Sequence, residues 1–233
     1  MQNDLYDIFT LFSALDLLAL LLLLVSWGFM GWFIETDRPN APSTHSLITN
    51  YRYQWMEVML TREPRIFDTQ ILSTLRQGAS FFTSASMIAL GGCVALLGQA
   101  DRLQGVAADL AGDLAAPRVV WEAKIILVIL ILSSAFLKFV WSHRLFGYCA
   151  VVMAAVPEKI IDEHAKRTAR KAAKLNIYAA RSFNRGLRTM YFALASLAWL
   201  LGPFALIAAT LATVFVLYQR EFNSQSREAL LED

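Results

Sequence analysis

Three histidines, two cysteines and a set of charged residues bordering apolar runs are the side chains of this chain that could do chemistry. His45, His143 and His164 lie in separate segments, and no two stand three or four residues apart, the spacing that puts two imidazoles on one helical face. A metal or haem needs ligands that converge, so neither is expected. No other cofactor is expected either: Gly91 and Gly92 lie inside an apolar run rather than a phosphate-binding loop, and there is no G-x-S-x-G nucleophile turn. Cys93 and Cys149 are isolated in apolar runs, which supports neither a disulfide framework nor a metal knuckle. Asp162, Glu163 and His164 are consecutive, so on a helix they point in different directions and read as a solvated face. No catalytic constellation emerges, and the expectation is a protein that is not an enzyme.

A sharper possibility lies in the charges that flank the apolar runs. If the intervening segments fold back beneath those runs, Arg65, Asp68, Lys138, Arg144 and Arg188 form an interhelical network, or a pocket whose arginines hold an anionic headgroup or small acid. The plainer expectation is that these side chains snorkel and mark an interface.

The elements that would position them are membrane helices. Hydrophobic residues make up 57% of the 233 residues and charged residues only 17%, and the charges are absent from long blocks. Gly78 to Gly98 contains no ionisable side chain but the Cys93 thiol; as a helix it is about 31 Å long, the thickness of bilayer hydrocarbon. The fold expected is an all-α polytopic bundle forming one membrane domain over residues 1–233, with spans near 11–34, 78–98, 119–140 and 190–218. A cytoplasmic helical layer is expected over 43–77 and 145–189.

Within that layer, Leu47, Ile48, Tyr51, Trp55, Val58 and Met59 recur at three- and four-residue spacing, after Ser43, Thr44 and Ser46 as possible caps. Asn50, Arg52, Gln54 and Glu57 fall on the other side of the same helix. The run from Leu145 to Val156 is too short to cross and reads as an extension buried against other helices at the interface. Pro157 and Glu158 suit the first turn of the next helix or a kinked continuation, and an Ala-rich amphipathic stretch follows to Arg188. In the second span Ser80, Ser84, Gly91, Ala95 and Gly98 share a face, a small-residue stripe suited to close helix packing. Gly202 and Pro203 predict a kink in the last span.

Lys and Arg set the orientation. Sixteen of the 21 lie in the segments 35–77 and 138–189, and five lie in the amino terminus, the loop 99–124 and the tail. The bias places the two large connections in the cytoplasm and, with four spans, both termini outside, in a cell (inner or plasma) membrane. The amino terminus lacks Lys and Arg and carries Asp4 and Asp7, the opposite of a secretory signal, so the first run is expected to be retained. A net charge of +2, with its basic clusters beside spans, gives no reason to expect nucleic acid.

NYRYQWM from Asn50, RIFDTQIL from Arg65, SFFTSAS from Ser80, KFVWSHRLFGY from Lys138 and FNRGLRTMYFALASLAWLLGPF from Phe183 occur in an order that resembles the family catalogued as domain of unknown function 599. The likeness covers approximately residues 10–225. It implies a multi-helix membrane fold and carries over no catalytic residue. Together these readings lead to a non-catalytic membrane protein that acts by helix packing, with itself or with another membrane protein, among membrane lipids. The alternative is an oligomeric transporter or channel for a small or lipid-like anion, with Ser80, Thr83 and Ser84 lining its path.

Overall fold

The computed structural model describes residues 11–36, 38, 41–99, 117–157 and 161–232. The amino-terminal segment through Asp7 and most of the loop expected after Gly98 lie outside them. The described chain is all-α: α1 Ala14–Glu35, α2 Thr44–Val58, α3 Ile66–Leu97, α4 Arg118–Ala154, α5 Glu163–Leu197, α6 Pro203–Phe222 and α7 Gln225–Leu231, with 3₁₀ turns at Met59–Thr61 and Ala198–Leu201. Four of these stretches, α1, α3, α4 and the one that begins at Pro203, are long and apolar enough to cross a membrane. This is a multi-pass membrane protein.

Two compact units are built from pieces of the same helices. One comprises Met1–Phe33, Ser86–Ala135 and Arg188–Tyr218; the other comprises Ile34–Ala85, Phe136–Leu187 and Gln219–Asp233. The second has its own core, in which Met56, Met59, Leu72, Phe146, Cys149 and Met153 pack against an alanine row on α5: Ala165, Ala169, Ala172 and Ala179. Alanine loses no rotamer freedom on burial and lets two helices approach closely, which is why an Ala-rich helix serves here.

Helices α4 and α5 form an antiparallel pair with one register. The Cys149 thiol donates to the Ala172 carbonyl, Ser142 donates to the Ala179 carbonyl at 2.8 Å, and Ser182 donates to the Lys138 carbonyl at 2.9 Å. At Gly186 the fit is tightest, since a Cβ there would lie 2.7 Å from the Phe139 ring. That ring stacks on Phe82 and meets Phe183 edge-on, at centroid distances of 5.3 and 5.6 Å.

Helix α4 continues unbroken through Leu145 to Ala154, and Leu145, Phe146, Cys149 and Met153 are buried, the packed extension expected of this run. The next helix does not begin at Pro157. It begins at Glu163, where Asp162 Oδ1 accepts the Ala165 N–H at 2.7 Å and caps the helix, while Asp162, Glu163 and His164 are all exposed, the solvated face expected of them.

The apolar stretch from Met190 to Tyr218 is divided at Gly202 rather than kinked. Gly202 has φ +114°, which ends the preceding turn, and Pro203, whose missing N–H costs nothing in a first turn, starts α6. On α5, Arg185 pairs with Glu35 at the end of α1 and Thr189 accepts from Trp27 Nε1; in the 3₁₀ turn that follows, Trp199 donates to Asp16 near the start of α1. Past Gly202 the chain returns: the Thr44 hydroxyl donates to the Glu221 carbonyl at 3.1 Å, and Arg227 Nε donates to the Pro42 carbonyl at 2.9 Å. The tail thus lies against the segment that follows α1.

Candidate functional site

The charged residues expected to converge are divided among separate tasks. Asp68 is fully buried, and its Oδ1 accepts from Trp55 Nε1 at 2.7 Å and from Arg62 Nη1, while Oδ2 has no partner. Arg65, one turn away, spends both terminal nitrogens on backbone: Nη1 donates to the Val156 carbonyl at 2.7 Å and Nη2 to the Pro157 carbonyl at 2.9 Å. A forked guanidinium can satisfy two neighbouring backbone carbonyls at once. Arg65 thus fixes the segment just after α4. The cavity beside it, about 570 Å³, is bounded mostly by Met59, Leu72, Met153 and Val156.

Arg144 is exposed and lies against the Tyr148 ring, 5.5 Å from its centroid. Lys138 stands next to Phe139 in the chain, its carbonyl bonded to Ser182. Arg188 is buried and belongs to the other unit. Of the five, the structure brings Arg65 and Asp68 together at the start of α3.

The polar site lies elsewhere in that unit. A chamber of about 310 Å³ is lined by Arg52 and His45 from α2, by Asn184 from α5 and by Glu221 from α6, with Ile48, Ile177 and Ala180 as apolar wall. The amino end of α2 is fixed there by Ser43, whose hydroxyl accepts from Ser46 N and donates to the Ile34 carbonyl, and by Glu221, which accepts the His45 N–H at 3.3 Å. Asn184 Nδ2 lies 3.3 Å from His45 Nδ1.

Arg52 is held from behind. Its Nη1 donates to Oδ1 of the fully buried Asn176, and Asn176 Nδ2 faces the Cys149 sulfur at 3.9 Å. No carboxylate pairs with this guanidinium among the described residues. Burial pushes its pKa below the ordinary arginine value, with the nearby Cys149 opposing that shift. The sequence pattern alone puts Arg52 on the polar side of α2. The available signal was that Arg52 stands four residues from Ile48 and three from Trp55, on the face that also carries Met59.

A second polar group occupies the other unit. Lys124 is buried, donates to the Trp199 carbonyl at 2.9 Å, and lies 5.4 and 5.5 Å from the Trp121 and Trp199 ring centroids. Asp16 accepts from Trp199 Nε1 at 2.7 Å and from the Ser13 hydroxyl at 2.6 Å. These polar contacts tie together the ends of α1, α4 and α5, a structural role.

The small-residue stripe faces away from this chain. Ser80, Ser84, Gly91, Ala95 and Gly98 are all exposed, whereas α3 buries Leu72, Ala79, Ser86 and Cys93 at seven-residue intervals. The Thr83 hydroxyl bonds back to the Ala79 carbonyl, and Ser80 and Ser84 are exposed on either side of it. His143 meets Arg76 and His164 is exposed; among the described residues no three of His, Cys, Asp and Glu are placed to hold a metal.

Comparison with known proteins gives one match. A family model described as "Protein of unknown function, DUF599" matches residues 18–226. No curated protein and no solved structure matches the chain.

Proposed function

We infer, for a chain that belongs to the DUF599 family of proteins of unknown function, a non-catalytic role in which membrane helices associate, either with a second copy or with another membrane protein. The observation that carries this reading is the pair of small-residue faces on α3. One, through Ala79, Ser86 and Cys93, packs inside the chain; the other, through Ser84, Gly91 and Gly98, is offset by five residues, about 140° round the helix, and is exposed. A Cβ added at Gly91 would meet nothing within 4 Å, so room exists for another helix to approach at backbone distance.

The test is cysteine crosslinking in native membranes, in a background lacking Cys93 and Cys149. Gly91→Cys should crosslink efficiently and Leu96→Cys, exposed on a different side of α3, should not. Equal crosslinking at both positions, together with a single-copy mass in mild detergent, would overturn the reading.

The same inference extends to sidedness. Counting α5 as a crossing gives five passes, an amino terminus outside and a carboxyl-terminal tail in the cytoplasm. It is supported by the bonds between the tail and residues 42–45. With the tail inside, eighteen of the 21 Lys and Arg residues lie on the cytoplasmic side, a stronger positive-inside bias than four passes provide.

A further inference from the structure

The chamber at the start of α2 has the makings of a ligand site that neither helix association nor topology requires. A half-buried guanidinium with no carboxylate partner is partly desolvated and keeps hydrogen-bonding capacity for an anion. Arg52 bonds the neutral Asn176 oxygen and no carboxylate. Asn176 is fully buried and faces the Cys149 sulfur, so the guanidinium has a fixed partner at the chamber wall.

The rest of the lining narrows the chemistry. The Asn184 amide and the His45 ring add hydrogen-bonding groups beside the cation, while Ile48, Ile177 and Ala180 present an apolar surface. Glu221 brings a carboxylate to the same chamber, where it is not ion-paired with Arg52. That carboxylate repels a dianion such as phosphate but accepts from a ligand that carries an N–H or O–H at its other end. At about 30 Å³ per water, the 310 Å³ volume holds about ten waters, which limits the ligand to a small molecule.

We propose that the chamber binds a small carboxylic acid bearing a hydrogen-bond donor and a short aliphatic body, a hydroxy acid or amino acid, with its carboxylate on Arg52 and its donor toward Glu221. A cation and a carboxylate in one lining set the direction of the ligand, and Asn176 keeps Arg52 aimed.

The experiment is binding to the full chain in lipid nanodiscs, measured calorimetrically and as a thermal shift, with L-lactate, L-alanine, acetate and inorganic phosphate as probes. Lactate or alanine should bind and raise the unfolding temperature, acetate should bind more weakly, and phosphate should not compete. Arg52→Gln should weaken binding at least about 10-fold, the value of one charge-assisted hydrogen bond. Ala180→Leu, which fills the chamber from an apolar wall and leaves every polar group in place, should abolish binding while the protein still unfolds cooperatively; it serves if Arg52→Gln fails to fold. The proposal is overturned if no carboxylate binds at millimolar concentration, if phosphate binds as well as lactate and alanine, or if Ala180→Leu binds like the unaltered chain.

Discussion

Replacing Gly186 by alanine tests whether the close approach of α4 and α5 rests on one missing methyl group. The new Cβ would lie 2.7, 2.8 and 2.9 Å from three atoms of the Phe139 ring. That ring is fully buried between Phe82 and Phe183, so it cannot swing aside as an exposed side chain would. Overpacking of this kind costs about 1–3 kcal/mol. Against it, alanine is favoured over glycine in a helix by about 1 kcal/mol. The balance is a net loss of about 1 kcal/mol, small enough that a single measurement would not identify its cause. The coupling identifies it. Phe139→Leu costs about 1–2 kcal/mol alone, yet it withdraws the ring atoms that the added methyl group would meet. In Phe139→Leu the further change Gly186→Ala should then be neutral or stabilising, giving a coupling of about 1 kcal/mol or more in reversible unfolding by denaturing detergent. If Gly186→Ala stabilises the unaltered protein, or the two changes add within about 0.5 kcal/mol, the close-contact argument is wrong.

Two further perturbations address other parts of the second unit. Asp68→Asn should destabilise by about 1–3 kcal/mol, less than for a fully buried pair because Arg62 is 32% exposed, and Arg62→Ala combined with it should cost little more than the worse single change. Additive losses in thermal unfolding would mean that the two side chains act separately. The Glu163 carboxylate lies below its usual pKa, first through its hydrogen bond from Lys166 and then through the charge of Lys166, with desolvation opposing and Arg167 and Arg170 adding to the lowering. A lowered folded value contributes stability above the unfolded pKa of about 4.3 and loses it as pH falls through the folded value. Amide exchange in the first turns of α5, corrected for its intrinsic pH dependence, should accelerate between about pH 5 and 3, and Glu163→Gln should remove that step; an unchanged profile in the variant would assign it to another group.

The parts of this fold that were legible in sequence are those governed by one strong local signal. Uninterrupted apolar runs marked α1, α3 and α4, and the three- and four-residue spacing after Ser43 marked α2. Within the stretch from Met190 to Tyr218, hydropathy does not separate a kink from a full break. Leu201-Gly202-Pro203 reads as a kink in one apolar run, and the difference from the observed break between a 3₁₀ turn and α6 lies in the φ of one glycine. The chamber was hidden for a related reason. Arg52, Asn176, Asn184 and Glu221 are ordinary surface residues by type, and their common location depends on the pairing of α2 with α5 and α6. The small-residue stripe on α3 was visible, but which of its two small faces the chain uses internally is decided by where Asp68 and Leu72 are anchored.

The two serine bonds between α4 and α5 point in opposite directions: Ser142 donates from α4 to α5, and Ser182 donates from α5 to α4. Sliding either helix by one turn breaks both at once and also drives Phe139 off the only kind of residue that admits it. In mechanical terms these contacts resist sliding of α4 against α5 over the bonded stretch, and the backbone leaves helical geometry at Gly202, between α5 and α6.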